Sequence, residues 1–180
     1  SKISINRTMY TQTFFFFFCL ILPFSLCATA EQWKSRTIYQ VLTDRFARND
    51  GSRGGCDNLG WYCGGGYVGL KNNLDYIQGM GFDAIWISPI IENRDGGYHG
   101  YWGRNLYELN KNFGSEQDFV DFVSACHSRG IWVMVDVVGN HMGNLDQNYD
   151  QNVPFNSPDH YHNFCIISDQ DFQTHNQDRI

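Results

Sequence analysis

Three short apolar runs, separated by two helical patterns, organise the chain between residues 37 and 138. The runs are residues 37–42, 82–87 and 131–138. The first is β-branched and aromatic, and the other two are apolar almost throughout, which is typical of strands buried on both faces. Such strands, when helices join them, form a parallel sheet with right-handed crossovers. The pattern therefore predicts an α/β protein.

Two amphipathic segments provide the connections between these strands. The first, residues 70–78, repeats its apolar residues at positions i, i+4 and i+7 and ends at a pair of glycines. The second begins at Ser115, which Asp118 follows three residues later as in a capping box, and it ends before Gly130. Its apolar stripe consists of Phe119, Phe122, Val123 and Cys126.

Two arrangements of a parallel sheet fit this order of elements. In an open doubly wound sheet a phosphate-binding glycine motif follows the first strand, and residues 64–66 are three glycines before a helix. They do not match G-x-G-x-x-G, however, and no acidic residue ends the second strand near Ile87. The sequence favours a partial (β/α)8 TIM barrel, with its first three strands in residues 31–141. Residues 142–180 lack convincing periodicity and are interpreted as the start of a loop-rich subdomain inserted after strand three.

The first thirty residues differ from the rest of the chain. An apolar run at residues 14–26, too short to span a bilayer, precedes Ala28-Thr29-Ala30, a small-x-small cleavage pattern. The alternative, a buried N-terminal helix, would require five consecutive Phe residues to face a core on all sides. We therefore predict a signal sequence over residues 1–30 and a secreted, extracellular protein that is free of the membrane after cleavage.

Charge and cysteine content agree with this prediction. The chain has 13 basic and 19 acidic residues, without a Lys/Arg run, so nucleic acid is not an expected partner. The spacing of Cys56 and Cys63 around a Gly/Asn-rich loop suits a loop-closing disulfide, and a zinc site is less favoured because no second ligand pair follows. Cys126 lies on the apolar helix face, where a buried free thiol is expected. Cys165 then has no partner within the chain, and we expect one beyond Ile180.

Polar residues follow the third predicted strand. The segment 136–141 reads Asp-Val-Val-Gly-Asn-His. In a parallel barrel the active site lies at the carboxyl ends of the strands, which makes these side chains candidates for chemistry. The alternative is that Asn140 and His141 only form a turn.

The same segment resembles the D-V-V-x-N-H signature of the alpha-amylase superfamily of glycoside hydrolases. The likeness is strongest to fungal-type secreted alpha-amylases, and it covers nearly all of residues 33–165. The other segments that carry it are residues 30–46, 74–82, 84–87 and 98–102.

The resemblance implies contacts with a sugar ring. Tyr101 corresponds to the aromatic residue that stacks under the sugar next to the cleavage point, with Trp102 beside it and His99 nearby. His141 corresponds to a residue that hydrogen-bonds the same sugar. A pyranose has an apolar face and polar hydroxyls, so a site that mixes aromatic and polar side chains suits it. The alternative is a loop that packs its own aromatic residues inward.

A calcium ion and a supporting carboxylate are also implied. Asn140 corresponds to a residue that donates a side-chain oxygen to a structural Ca²⁺, an ion that prefers oxygen ligands. The carboxylate that would complete that site is not placed by the sequence, and Asp171 and Asp178 are the candidates. Asp136 corresponds to a residue that holds the catalytic arrangement and does not attack the substrate. One departure is Gly60, which stands where fungal-type relatives carry a sugar-contacting Gln.

Retaining glycoside hydrolysis requires a carboxylate nucleophile and a carboxylic acid. The resemblance places these groups after barrel strands four, five and seven, so we expect no catalytic residue within this chain and no activity from the chain alone. The loop carboxylates Asp44, Glu92, Asp95 and Asp169 are poor candidates. The whole protein is expected to be a secreted, monomeric alpha-amylase that hydrolyses α-1,4-glucosidic bonds of starch or glycogen internally, with retention. The alternatives are an α-glucosidase, a glucanotransferase or a non-catalytic carbohydrate-binding relative.

Overall fold

A computed structural model of the protein describes residues 28–143 and 148–163. The chain divides into two compact units, residues 1–34 and residues 35–180. In the described part of the first unit, helix α1 spans Ala30–Lys34. The predicted signal sequence lies almost entirely outside the described residues.

The second unit contains a three-stranded sheet, a two-stranded sheet and the helices between them. Its elements, in chain order, are β1 Ile38–Val41, α2 Thr43–Phe46, α3 Tyr67–Asn72, α4 Leu74–Gly79, β2 Ala84–Ile87, β3 Ile91–Asn93, β4 Gly103–Leu109, α5 Glu116–Ser128, β5 Trp132–Val135 and the 3-10 helix η1 Pro158–His160.

The three predicted strands form one parallel sheet in the order β1-β2-β5. Ile38 pairs with Ala84, and Ile85 pairs with Val133. The three parallel strands have the same order in the sheet as in the chain. This is the order expected of successive barrel strands. The strands are four residues long, shorter than the predicted runs: β2 lacks the first two residues of its run, and β1 and β5 lack residues at both ends.

The first crossover differs from the prediction in two respects. The single helix predicted over residues 70–78 is two short helices, α3 and α4, because the backbone leaves the helical conformation at Asn73 with φ −115° and ψ 18°. The Asn73 side chain donates to the carbonyl of Gly69 at 2.8 Å, a local hydrogen bond that competes with helix continuation. The one-turn helix α2 directly after β1 was not predicted.

The second crossover contains the predicted helix and an unpredicted hairpin. Ser115 is the N-cap residue of helix α5. Its hydroxyl accepts from the Asp118 backbone while the Asp118 carboxylate accepts from the Ser115 backbone, so the predicted capping box is confirmed. Before it, β3 and β4 pair in antiparallel fashion with irregular register. This hairpin lies between β2 and α5 in the chain and carries the loop of residues 94–102.

The core lies between the parallel sheet and the crossover helices. Apolar faces of α3, α4 and α5 bury side chains against β1 and β2, and Phe122 and Cys126 of the predicted α5 stripe are fully buried. The buried hydrophobic residues are Val41, Tyr67, Leu70, Leu74, Ile77, Ala84, Ile85, Ile87, Phe113, Phe122, Cys126 and Ile131.

The described part of the predicted insertion, residues 148–163, is attached to the hairpin by its backbone. Val153 donates to the carbonyl of Arg104 at 2.8 Å, and Leu106 donates to the carbonyl of Val153 at 3.0 Å. Within the part of the chain that the structure describes, no helix combines the length and the apolar content needed to cross a bilayer.

Candidate functional site

The carboxyl ends of the three parallel strands meet at one edge of the sheet. Beyond β1 the Thr43 backbone donates to the Ser88 hydroxyl at 3.1 Å, and beyond β5 the Asp136 backbone donates to the carbonyl of Ile87 at 3.1 Å. These bonds join residues at or just beyond the ends of β1, β2 and β5, so they connect the three strand ends to one another. A cavity of about 210 Å³ opens there. Its lining consists of Gln40, Val41, Leu42, Trp86, Ile87, Ser88, Tyr101 and Asp136.

The loop between β3 and β4 brings aromatic side chains to this edge. The buried Asn93 amide holds both ends of the loop, donating to the carbonyl of Gly100 at 3.3 Å and accepting from the Trp102 backbone at 2.7 Å. Gly100 has φ +88°, and a Cβ there would lie 2.7 Å from the carbonyl oxygen of Pro89. The loop therefore approaches the end of β2 more closely than a residue with a side chain allows.

His99 lies at the centre of the aromatic loop. Its ring stacks on Tyr101 with centroids 5.8 Å apart and meets Trp102 edge to face at 4.6 Å. Nδ1 accepts a hydrogen bond from the Tyr101 backbone at 3.0 Å. Burial, together with the guanidinium groups of Arg45 and Arg94, holds the pKa of His99 below its ordinary value. A neutral His99 with an occupied Nδ1 carries its proton on Nε2, which is then a donor for a ligand.

Tyr101 connects the aromatic loop to the segment after β5. Its hydroxyl donates to Oδ2 of Asp136 at 2.6 Å, and its backbone carbonyl accepts from Nε2 of His141 at 3.0 Å. The hydrogen bond to the Asp136 carboxylate raises the pKa of Tyr101 above its ordinary value. The loop after the second parallel strand and the loop after the third thus form one continuous rim.

Two predicted site residues, Trp102 and Asn140, lie outside the hydrogen bonds between Tyr101, Asp136 and His141. Trp102 is half-buried, and the Arg94 guanidinium lies 4.3 Å from its ring centroid, so one face of the indole is covered. Asn140 is exposed, next to His141 in the chain. The structure thus brings Tyr101, His99, Asp136 and His141 together, with Trp102 in contact through His99.

Asn140 is the calcium ligand that the family resemblance implies. The side-chain oxygen of Asn140 is of the type that Ca²⁺ accepts, but this ion takes six to eight oxygen ligands. Over residues 28–143 and 148–163 no group of three or more His, Cys, Asp or Glu side chains is arranged to hold a metal ion. The two candidate partners, Asp171 and Asp178, lie outside the described residues.

A buried charge pair that sequence reasoning missed supports the same edge. Asp44, in α2, is only 2% exposed, and its carboxylate accepts from Nε of Arg45 at 2.8 Å, from the Cys63 backbone at 2.8 Å and from the Gly64 backbone at 3.2 Å. Burial raises the pKa of Asp44, and these three donors oppose that effect. The signal in the sequence was an acidic residue shortly after the first predicted strand and before a glycine-rich loop.

The Arg45 guanidinium extends this network towards the aromatic loop. It donates to the carbonyls of Leu59 and Trp61 at 2.8 and 2.7 Å, and it lies 3.8 Å from the centroid of the Tyr98 ring. The Arg45 side chain therefore contacts both the disulfide loop, residues 56–63, and the aromatic loop, residues 94–102. We refer to Asp44 and Arg45 together as the α2 pair.

The cysteines of the described residues behave as predicted. Cys56 and Cys63 form a disulfide, with their Cα atoms 5.3 Å apart. Cys126 is a free, buried thiol, and burial raises its pKa to about 12. Cys165 lies outside the described residues.

A second, wider depression of about 800 Å³ lies beside α2 and the disulfide loop. Its lining includes Arg48, Arg53 and the two disulfide cysteines. The smaller cavity is the better candidate site because it alone of the two is lined by Tyr101 and Asp136 and opens at the carboxyl ends of the strands.

Comparison with known proteins agrees with this architecture. The family described as "Alpha amylase, catalytic domain" matches residues 40–178. "Alpha-amylase 1" of Lipomyces kononenkoae is 51% identical over 158 residues, which are 81% of this chain and 25% of that protein. The chain thus spans about a quarter of the length of this curated relative.

Two solved alpha-amylase structures are also similar to this chain. An alpha-amylase from Malbranchea cinnamomea has a TM-score of 0.74 and 49% identity, and the match covers 82% of this chain and 34% of that chain. An alpha-amylase from Geobacillus thermoleovorans, complexed with acarbose, has a TM-score of 0.66 and 35% identity over 79% of this chain and 31% of that chain.

Proposed function

The chain belongs to the alpha-amylase catalytic-domain family, and from this membership we propose that the whole protein hydrolyses α-1,4-glucosidic bonds inside starch-type glucans, with retention of configuration. The three parallel strands described above are part of its (β/α)8 barrel fold. The observation that carries the proposal is the rim at the carboxyl ends of these strands, where Tyr101 contacts both Asp136 and His141.

The chemistry of this rim suits a pyranose ring. Tyr101 is 38% exposed and offers a phenol ring to the apolar face of a sugar. The rim also offers hydrogen-bond donors for the sugar hydroxyls, at Nε2 of His99 and, through a shift of its present bond, at Nε2 of His141. Trp102 supports the rim from behind, since its ring contacts His99 and its other side is covered by Arg94.

Asp136 has a positioning role in this proposal. Its carboxylate is bonded to the Tyr101 hydroxyl, and its backbone is bonded to the end of β2, so it holds the sugar platform against the sheet. Retaining hydrolysis requires two carboxyl groups about 5–5.5 Å apart across the scissile bond. We assign that pair to parts of the protein other than the described residues.

Two further properties are part of the proposal. Secretion is supported by the apolar run before Ala30 and by the disulfide between Cys56 and Cys63, since disulfides persist in oxidising compartments. Calcium binding, with Asn140 as one ligand just before an inserted subdomain of residues 142–180, is supported by the side-chain oxygen of Asn140. Calcium would stabilise the fold there, and no catalytic step is assigned to it.

Product analysis of the full-length protein tests the proposal. Incubation with soluble amylose should produce a rapid loss of iodine staining while few reducing ends appear, because internal cleavage shortens chains before it releases small sugars. The first products should carry the α-configuration, which proton NMR detects before mutarotation. Release of glucose alone from chain ends, or transfer products in place of hydrolysis, would contradict the proposal.

A further inference from the structure

Two guanidinium groups lie beside the aromatic stack that contains His99. The Arg45 guanidinium is 3.8 Å from the centroid of the Tyr98 ring, and the Arg94 guanidinium is 4.3 Å from the centroid of the Trp102 ring. Both rings meet His99 edge to face, with centroid distances of 5.0 and 4.6 Å. Each positive charge therefore contacts a ring that itself contacts the imidazole.

The Arg45 guanidinium is fixed in its position. Nε donates to the Asp44 carboxylate at 2.8 Å, and Nη2 donates to the carbonyls of Leu59 and Trp61 at 2.8 and 2.7 Å. Only 21% of the Arg45 side chain is exposed. A charge that is held in this way and shielded from water acts on its neighbours more strongly than a mobile surface charge does.

Protonation of His99 would remove a hydrogen bond that positions Tyr101, whose ring is the proposed sugar platform. Nδ1 of His99 accepts from the Tyr101 backbone at 3.0 Å, and the Tyr101 carbonyl accepts from Nε2 of His141 at 3.0 Å. A doubly protonated imidazole carries a hydrogen on both nitrogens and has no acceptor. Two N–H groups would then face each other where the present bond lies, and the Tyr101 backbone would lose one of its two histidine contacts.

Charges of both signs surround His99. Two carboxylates lie near it, namely Asp44, which is bonded to Arg45, and Asp136, which is bonded to the Tyr101 hydroxyl. Neither is hydrogen-bonded to His99 in the part of the chain that the structure describes, so neither is a direct partner for an imidazolium. Burial and the two guanidinium groups hold the pKa of His99 below its ordinary value.

We propose that Arg45 and Arg94 are positioning residues of the proposed sugar site. Their charges oppose a third positive charge on His99 and thereby preserve the bond between its Nδ1 and the Tyr101 backbone in acid. This inference rests on the proposed function and deepens it, since it assigns a basis for activity in acidic surroundings. An uncharged side chain could serve a packing role equally well, so the pH dependence of activity distinguishes the two roles.

The test measures kcat/KM on amylose with the full-length protein at about pH 5 and at about pH 7. We call the lower-pH value divided by the higher-pH value the acid ratio. Arg94→Gln should lower the acid ratio about fivefold relative to wild type, because loss of a nearby cation raises the pKa of His99 and enlarges its protonated fraction at the lower pH. Arg45→Gln should lower the acid ratio by a similar or larger factor.

Two kinds of control separate charge from packing. Arg94→Lys and Arg45→Lys keep the positive charge and should retain an acid ratio within about twofold of wild type. Arg48→Gln removes a guanidinium that donates to the Ser52 hydroxyl and to the carbonyl of Gly55 and is not one of the two that pack on the aromatic stack. Its acid ratio should stay within about 1.5-fold of wild type.

His99→Asn tests whether the effect acts through the imidazole. Asn keeps an acceptor for the Tyr101 N–H but does not titrate. In this background Arg94→Gln should change the acid ratio by no more than about 1.5-fold. Melting temperatures at both pH values show which variants are folded, and Arg94→Gln is the decisive substitution because Arg45→Gln also removes the partner of the buried Asp44.

Three results would each overturn the proposal. The first is a wild-type acid ratio in folded Arg94→Gln, and the second is an acid ratio in Arg94→Lys that is as low as in Arg94→Gln. The third is a full effect of Arg94→Gln in the His99→Asn background, which would show that the charge acts on another titrating group.

Failure of the proposed function is distinguishable from failure of this inference. If the wild-type protein does not cleave amylose, the hydrolase proposal is wrong, and proton NMR then follows the titration of the His99 ring directly, with its resonance assigned from His99→Asn. A titration midpoint at higher pH in Arg94→Gln than in wild type would support the inference. The same midpoint in both proteins would overturn it.

Discussion

The two ends of the parallel sheet carry similar groups but use them differently. At the amino end, Asp83 accepts from the Thr37 backbone at 2.7 Å and from Arg36 at 3.0 Å, and the Arg36 guanidinium lies 3.8 Å from the Trp132 ring centroid. At the carboxyl end, Asp136 accepts from the Tyr101 hydroxyl beside a cavity of about 210 Å³. Each end thus has a carboxylate and an aromatic ring.

The difference lies in what the groups contact. At the amino end the Arg36 guanidinium contacts both the Asp83 carboxylate and the Trp132 indole, and these contacts connect the starts of β1, β2 and β5, which is a structural use of charge. At the carboxyl end the tyrosine ring and the carboxylate face a cavity. This is the division expected in parallel barrels, where stability is associated with one face and chemistry with the other.

The carboxyl end also contains a structural element, the α2 pair. Removal of its carboxylate should have the largest effect on the free energy of unfolding. Asp44→Ala leaves Arg45 without its buried carboxylate and two backbone N–H groups without acceptors, so the free energy of unfolding should fall by about 3–5 kcal/mol. Urea denaturation with the disulfide intact measures this. Asp95→Ala, at an exposed loop carboxylate, is the control and should change stability by less than about 0.5 kcal/mol. Equal stability of the two variants would show that the α2 pair is not structural.

Removal of the sugar platform should affect activity and leave the fold intact. Tyr101→Ala in the full-length protein should lower kcat/KM on amylose about a hundredfold, equivalent to about 2.7 kcal/mol of transition-state stabilisation. Its unfolding free energy should change by about 1 kcal/mol or less, because the His141 bond is to the Tyr101 backbone and survives. Tyr101→Phe, which loses only the bond to Asp136, should be intermediate. A Tyr101→Ala enzyme with wild-type kcat/KM would contradict the assignment of substrate binding to the carboxyl end of the sheet.

The reverse pattern is expected at the amino end. Arg36→Ala loses the contact with Trp132 and the ion pair with Asp83, and the free energy of unfolding should fall by about 1 kcal/mol. The activity of the folded enzyme should stay within twofold of wild type. Arg36→Lys, which keeps the charge but not the planar group, is the matched variant. A large loss of kcat/KM in Arg36→Ala without a loss of stability would contradict the assignment of this end as structural.

The smallest effect should appear only in acid. The Thr37 backbone and Arg36 hold the pKa of Asp83 below its ordinary value of 3.8. A lowered pKa in the folded state gives a contribution to stability that is present above the unfolded-state value and is lost as the pH falls through the folded-state value. Unfolding free energies measured from pH 6 to pH 2.5 should therefore fall less steeply in Asp83→Asn than in wild type. Parallel curves would show that Asp83 contributes nothing to acid sensitivity.

The sheet was predictable because its signal is local. Each parallel strand is a short apolar run that ends at a polar or proline-containing segment, and a capping box marks the start of α5. The order of the strands predicted only that the segments after β2 and β5 lie at one edge of the sheet. That Tyr101 and His141 serve the same sugar was implied by the family resemblance, and the structure shows a hydrogen bond between them.

The missed features depend on contacts between residues distant in the chain. The β3–β4 hairpin has no clear alternation, and its loop is held by Asn93, whose amide contacts Gly100 and Trp102. The role of Asp44 depends on backbone groups about twenty residues away. The break at Asn73 is a competition between two local hydrogen-bond patterns that apolar spacing does not report.

Hydrogen exchange on the full-length protein, with and without a non-hydrolysable maltooligosaccharide analogue, tests the division between the two ends most directly. Backbone amides of residues 99–103 and 136–143 should exchange more slowly when the analogue is bound, while those of residues 36–38, 82–84 and 130–132 should be unchanged. Protection at the amino end, or unchanged exchange at the carboxyl end under saturating ligand, would contradict the account.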